Sequence, residues 1–194
     1  FGPPMLAMFP FIVMFLVTSV TTLRERSSGT LERLLAMPTG KADLLLGYAL
    51  AFGLIALVQA SIAVALTVGL LGLDIAGPVW MLAVVAVIDA VLGTTLGLFV
   101  SAFAETEFQA VQFMPAFVLP QVLLCGLFVA REDLPVVLSE ISSLLPLSYA
   151  VDAMLDVQTN ADLTGELWFD LGIVAGFVAV TIGLGAATLR RRTP

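Results

Sequence analysis

The sequence predicts an all-α, polytopic membrane protein with about five transmembrane helices, a short helix in the first loop and a helical hairpin in the last loop. Of its 194 residues, 60% are hydrophobic and 12% are charged, whereas soluble domains contain about 45–50% apolar and about 25% charged residues. The mean hydropathy is +1.08. Strands of a membrane barrel would alternate apolar and polar residues over about 10 positions. The sequence contains long unbroken apolar runs instead, so helices are expected.

The spans follow from the positions of the charged residues. A hydrocarbon core of about 30 Å needs roughly 20 apolar residues per helix, and the charges divide the chain into five runs that meet this requirement. A single transmembrane domain of residues 1–194 is therefore predicted. Its spans are residues 5–23, 44–73, 79–103, 108–130 and 167–189.

The eight basic residues predict the orientation. Seven of them lie between the first two spans or after the last span, and only Arg131 lies on the other side. Because Lys and Arg concentrate in cytoplasmic loops, the loop of residues 24–43 and the C-terminus are predicted to be cytoplasmic. The acidic loop of residues 131–166 is then external. The first span would start outside, so we expect one more helix upstream of residue 1.

Composition argues against several functions. The net charge of −7 and the scarcity of Lys and Arg disfavour nucleic-acid binding, which needs clustered basic residues. One cysteine, Cys125, and no histidine exclude a disulfide framework, a Cys/His zinc site and a Ser–His dyad. Gly40-Lys41 is followed by Ala42, so the P-loop pattern is absent. We expect that the chain is not an enzyme and binds neither a metal nor a nucleotide itself.

The first loop contains an amphipathic pattern. Leu31, Leu34 and Leu35 share one face of a helix, Glu32 lies on the opposite face and Pro38 discourages continuation. The pattern predicts a short helix over residues 28–38 at the cytoplasmic surface. Such a helix can seal the loop against lipid headgroups, or it can be a coupling helix that docks on a separate motor subunit. The pattern alone does not separate these interpretations.

Two motifs resemble a known family. The segment Leu23-Arg-Glu-Arg-Ser-Ser-Gly-Thr-Leu-Glu-Arg-Leu-Leu-Ala-Met-Pro38 looks like the segment before a Leu-rich helix in ABC-2-type transporter permeases. The segment Leu145-Pro-Leu-Ser-Tyr-Ala-Val-Asp-Ala-Met154 is similar to the family's segment before the last span. The combination is most similar to the daunorubicin-resistance-type drug exporter branch. Relatives often carry Arg or Lys shortly after the second motif, whereas Asp156-Val-Gln-Thr follows here.

The resemblance implies an architecture and a set of partners. Family members have six spans and a re-entrant hairpin before the last one. They work in pairs in the bacterial cytoplasmic membrane, with two ATPase subunits that bind ATP and Mg²⁺. The matching positions are expected to couple this chain to the ATPase: Arg24, Glu25, Arg26, Gly29, Thr30, Leu31, Glu32, Leu34 and Leu35. In the hairpin, the resemblance points to Pro146, Tyr149 and Asp152 as parts of an external gate.

The external loop supports a hairpin from its own pattern. Apolar residues between Leu134 and Leu145 recur with helical spacing, and a second short helix can begin at Pro146. We expect two short helices that lean back into the outer leaflet. The alternative is a surface cap with no part in transport.

Three polar residues within the spans are candidates for a translocation path: Asp89, Gln112 and Gln121. A carboxylate at the centre of a bilayer costs at least about 2.5 kcal/mol, so Asp89 is expected to face protein or water. It can equally serve only to hydrogen-bond a neighbouring helix.

The resemblance therefore implies a permease subunit of an ATP-driven exporter that moves a hydrophobic or amphipathic compound, such as a drug, an antibiotic or a lipid-like molecule. Two alternatives stay open. The chain can be an ion-coupled secondary transporter in which Asp89 binds a proton, or a membrane scaffold without transport activity.

Overall fold

The computed structural model describes residues 2–30 and 41–188. This part of the chain is all-helical, which confirms the predicted fold class. A 3₁₀-helix, Arg131–Asp133, precedes the hairpin. The α-helices are α1 (Gly2–Ser27), α2 (Lys41–Gly69), α3 (Val79–Ser101), α4 (Glu107–Leu124), α5 (Val136–Ser143), α6 (Pro146–Thr159) and α7 (Gly165–Thr188).

The helices α1 and α3 form the central pair of the bundle. A Cβ atom added to Gly93 or Gly97 would lie 2.3 Å from the carbonyl oxygen of Phe11 or 2.4 Å from that of Phe15, respectively. The residue order along the two contacts is the same, so the helices run parallel. Small residues allow helix backbones to approach closely in membranes, and here they bring α3 directly onto the backbone of α1.

The bundle has two distinguishable ends. At the first, which we call the arginine end, Arg24 and Arg26 at the end of α1 contact the start of α4 and the end of α3. At the second, the tryptophan end, Trp80 and Trp168 near the starts of α3 and α7 are 60% and 55% exposed. Exposed tryptophans at one level are typical of a membrane–water interface.

Four described helices contain segments that are long and apolar enough to cross a membrane: Pro4–Ser27, Leu50–Gly69, Val79–Ser101 and Gly165–Leu184. The pair Val136–Ser143 and Pro146–Thr159 passes the same test as one unit bent by 89°, which describes a broken span or a re-entrant loop. The chain is thus a multi-pass membrane protein.

The helix α4 occupies the place of the predicted fourth span but is not among the segments that are long and apolar enough to cross a membrane. It has 18 residues, a length of roughly 27 Å, and it runs from the arginine end to the hairpin. It ends at Leu124, whereas the prediction extended to residue 130. Gly126 explains the early end, because its φ of +93° lies in the left-handed region that favours glycine and terminates helices.

The helix α1 is longer than the predicted first span. Arg24, Glu25 and Arg26 were expected in the loop of residues 24–43, but they form the last turn of α1, which ends at Ser27. Basic residues stabilise the C-terminal turn of a helix through its dipole. Gly29 follows with a φ of +70°, so the Ser-Ser-Gly segment includes the stop signal of this helix.

Candidate functional site

Arg24 connects the end of α1 to the start of α4. Its Nε donates a 2.7 Å hydrogen bond to Glu107 Oε1, and its Nη2 donates one of 3.1 Å to Oε2. The pair is therefore bidentate. Glu107 follows Thr106, whose hydroxyl accepts a hydrogen bond from Gln109 N and caps α4. An acidic residue in this first turn also suits the helix dipole.

The next two residues contact two further helices. Tyr48 of α2 donates a hydrogen bond to the carboxylate of Glu25, and Arg26 Nη1 donates a 2.9 Å hydrogen bond to the carbonyl oxygen of Ser101 at the end of α3. Partial burial, and then the bond to Glu25, raises the pKa of the Tyr48 hydroxyl above its ordinary value. Three consecutive residues of α1 therefore contact α4, α2 and α3. We call these contacts the arginine-end clamp.

The clamp lies directly before the segment predicted to dock on a motor subunit. Gly29 and Thr30 follow it, and the Thr30 hydroxyl lies 2.8 Å from that of Ser28. Leu31, Glu32, Leu34 and Leu35, and with them most of the predicted helix over 28–38, lie outside the described residues.

At the other end, Arg131 holds the hairpin together. It forms an ion pair with Asp152 of α6, its guanidinium lies 5.2 Å from the centre of the Tyr149 ring, and its Nη2 is 3.3 Å from the Ser143 hydroxyl of α5. Tyr149 in turn donates a 2.7 Å hydrogen bond to the carbonyl oxygen of Ser143. Two of the three residues predicted for an external gate thus share one basic partner.

The start of α6 rests against the end of α4. Pro146 is buried at the first position of α6, where its missing N–H costs nothing. The next free N–H, that of Leu147, donates a 3.3 Å hydrogen bond to Gln121 Oε1, and Gln121 Nε2 donates to the carbonyl oxygen of Phe117. Gln121 is buried and joins two helices of its own chain.

The other two translocation-path candidates lie in different surroundings. Asp89 of α3 is fully buried, which agrees with the expectation that it faces protein, and neither carboxylate oxygen has a hydrogen-bond partner among the described residues. Gln112 is exposed on α4. Asp89 and Gln121 are thus buried, whereas Gln112 lies on the exposed surface of α4.

The two motifs thus fall at opposite ends of the bundle, one in the clamp and one in the hairpin. A family model described as ABC-2 type transporter matches residues 3–159. The chain belongs to the ABC-2 transporter family.

Curated relatives are similar over most of this chain. It is 27% identical over 190 residues to the probable multidrug ABC transporter permease YbhR of Escherichia coli (strain K12), which covers 98% of this chain and 52% of that protein. It is 27% identical over 172 residues to the linearmycin resistance permease protein LnrN of Bacillus subtilis (strain 168), covering 88% and 44%. The inner membrane transport permease YhhJ of E. coli (strain K12) is 30% identical over 138 residues, covering 70% and 36%. The chain spans about half the length of the first of these relatives, or less for the others.

One partner of each contact in the clamp and the hairpin was predicted from the sequence, and the other was missed. Glu107, Tyr48 and Ser101 were not singled out as partners of the charged triplet, and Arg131 was used only to orient the chain. The acidic residue after the Thr106 cap was a usable signal. In a five-span topology, Glu107 begins a helix on the same side of the membrane on which the helix that contains Arg24 ends.

Proposed function

We propose that this chain is the membrane-spanning region of the permease subunit of an ATP-driven exporter in a bacterial cytoplasmic membrane. ATP and Mg²⁺ would bind to two copies of a separate ATPase subunit, and this chain would carry out no catalysis. A second permease copy would complete the path. The arginine end would face the cytoplasm and the tryptophan end the outside.

The arginine-end clamp is the observation that supports this proposal most. A push on the segment after α1 reaches α4, α2 and α3 through Arg24, Glu25 and Arg26, because each residue bonds to a different helix. A loop that merely sealed the membrane surface would not need contacts from the preceding helix to three others. A loop that receives force from a motor subunit would need them to pass the force on.

A second copy has a suitable face to approach. Along α1, four apolar residues spaced by four positions are each at least 38% exposed: Met5, Phe9, Val13 and Val17. The neighbouring helix α4 exposes Gln112 and Phe108.

This surface combines apolar residues with an amide group, which suits an amphipathic compound. Two related proteins bear names that refer to multidrug transport and linearmycin resistance, which favours a hydrophobic or amphipathic substrate.

The test begins with assembly. The permease is co-expressed with an ATPase encoded next to it, and the two are purified together with Leu34→Glu or Glu32→Arg in place. We expect loss of co-purification or of permease-dependent ATP hydrolysis. Leu71→Glu is the matched control, because Leu71 is 78% exposed in the loop at the tryptophan end. Wild-type assembly and hydrolysis in both loop variants would refute the coupling role.

One observation favours a second candidate function. The carboxylate of Asp89 is fully buried and has no hydrogen-bond partner within residues 2–30 and 41–188, and such a group can bind protons in ion-coupled transporters. Asp89→Asn removes its titration while keeping its size. Under the ATP-driven proposal, the transport rate has the same pH dependence in the variant and in the wild type. A pH dependence that disappears in Asp89→Asn, together with transport without ATP, would support ion coupling instead.

A further inference from the structure

We propose that the two helices of the hairpin have different roles, with α6 a fixed wall of the bundle and α5 a lid that swings away when the exporter opens outward. This inference rests on the proposed function, since it assigns parts to the external gate. It predicts which half of the gate moves and which contacts must break.

The C-terminal end of α6 is fixed by backbone hydrogen bonds. Ala76 N donates to the carbonyl oxygen of Gln158 at 2.9 Å, and Gly77 N donates to that of Val157 at 3.0 Å. The approach is so close that a Cβ atom on Gly77 would lie 2.7 Å from the carbonyl oxygens of Val157 and Asn160. The loop before α3 thus holds the end of α6.

The N-terminal end and the sides of α6 are also held. Gln121 accepts a hydrogen bond from Leu147 N, and the helix packs against α1, α3 and α7. Its buried residues lie along most of its length: Pro146, Leu147, Ser148, Ala150, Val151, Ala153, Met154 and Val157. Moving α6 would therefore disrupt both of its ends and the centre of the bundle.

The helix α5 is held in another way. Its buried residue is Ser142, while Val136, Val137 and Leu144 beside it are 78%, 70% and 72% exposed. In lipid these exposed apolar side chains give α5 little packing against the protein and no hydrophobic attachment to it, because hydrocarbon is as apolar as they are. Polar contacts must therefore hold α5 in place.

Those polar contacts are few and mostly involve hydroxyl groups. The Ser142 hydroxyl donates to the carbonyl oxygen of Leu124 at 2.8 Å and lies 3.1 Å from the Ser148 hydroxyl. Ser143 is held by Arg131 and Tyr149. The break between α5 and α6, where the chain bends by 89°, is the natural hinge. Opening the lid would break the Ser142 and Ser143 contacts and leave α6 in place.

The first experiment measures distances in the complex with its ATPase, in a Cys125→Ala background. Spin labels are placed at Leu71 and Val137 in one sample and at Leu71 and Thr159 in another, all exposed positions. Distances are compared without nucleotide and after trapping with ATP and vanadate. We expect the distance from Leu71 to Val137, on α5, to change, and that from Leu71 to Thr159, at the end of α6, to stay constant. Equal changes in both distances, or none in either, would overturn the lid model.

The second experiment locks the lid. In the same background, Ser142→Cys and Ser148→Cys place two sulfur atoms where two hydroxyl oxygens lie 3.1 Å apart, within reach of a disulfide after a small adjustment. Oxidation should stop the ATP-driven loss of ethidium from dye-loaded cells, and a reducing agent should restore it. Single-cysteine variants are the controls. Undiminished transport with the disulfide formed would refute a moving α5.

The unmodified complex separates this inference from the proposed function. If the wild type neither hydrolyses ATP with its ATPase nor exports ethidium when ATP is present, the exporter proposal fails and the lid model falls with it. If the wild type does both and the locked variant matches it, only the lid model fails.

Discussion

The two ends of the molecule are held together by different chemistry. At the arginine end, three consecutive residues of α1 use charged side chains to reach three other helices. At the tryptophan end, α6 is held by backbone hydrogen bonds and by burial, whereas α5 is held by hydroxyl groups and one arginine. We expect the arginine end to transmit a displacement to several helices at once. We expect the tryptophan end to divide into a fixed helix, α6, and a helix that can move away, α5.

The central pair of α1 and α3 connects the two ends, and breaking it should have the largest effect. Gly97→Ala places a Cβ atom 2.4 Å from the carbonyl oxygen of Phe15 and should cost about 3 kcal/mol through overpacking. We expect a clearly lower thermal aggregation midpoint of the purified protein in detergent.

Gly176→Ala is the matched control for this change. Gly176 lies within α7, and an added Cβ atom there meets nothing within 4 Å. An unchanged midpoint in this control, beside a large loss in Gly97→Ala, would place the effect in the contact of α1 with α3. Equal losses in both variants would contradict it.

Removing the arginine of the hairpin should have the next largest effect. Arg131→Gln leaves Asp152 unpaired beside an open cavity of about 510 Å³ whose lining also includes Asp156, Glu166 and Asp170. Loss of a charged hydrogen bond costs about 1–3 kcal/mol, and repulsion among the carboxylates adds to it. Protease cleavage within α5 should become faster, while the arginine end stays protected. Arg131→Lys should recover only part of the protection, since lysine lacks the planar fork.

The two tyrosines of the chain, one in each region, give a smaller but sharper comparison. Tyr48→Phe removes a hydrogen bond to Glu25, which should lower the free energy of unfolding by about 2 kcal/mol. Tyr149→Phe removes a bond to a neutral carbonyl and should cost about 1 kcal/mol. ATP hydrolysis should respond mainly to the first change, and accessibility of α5 mainly to the second.

The pH dependence of Tyr48→Phe follows from the raised pKa of Tyr48. The stability that tyrosine contributes is fully present below its unfolded pKa of about 10 and is lost as pH rises through the higher folded value. The difference in unfolding free energy between wild type and Tyr48→Phe should thus be constant from pH 6 to 9 and shrink only above about pH 10. A difference that shrank at neutral pH would show that another group is responsible.

Sequence patterns predicted the helices well, because a membrane helix needs a long apolar run and charges mark its ends. They also predicted a hairpin of two short helices from the leucines after Leu134 and from Pro146. The partners of the charged residues were not predicted from the sequence. Arg24 and Glu107 are 83 positions apart, and only the packing of α1 beside α4 brings them together.

The different ways in which α5 and α6 are attached to the bundle were also not predicted from the sequence. Both helices have amphipathic patterns. Such a pattern shows that one face of the helix is apolar and the other polar, but it does not show what packs against the apolar face. The contacts of Gly77 and Gln121 with α6 depend on loops and helix ends whose positions follow from the tertiary fold. For the same reason, Gln121 appeared as a candidate lining residue, although within this chain it joins α4 to α6.

We expect displacement at the arginine end to be transmitted to the lid at the tryptophan end. The direct test measures the distance between Leu71 and Val137 after ATP–vanadate trapping in wild type, in Arg24→Glu and in Arg24→Glu/Glu107→Arg, all without Cys125. We expect a distance change in wild type and its loss in Arg24→Glu despite normal assembly with the ATPase. The change should return in the double variant, where the ion pair is re-formed in reverse. A full distance change in Arg24→Glu would show that the clamp does not transmit the displacement.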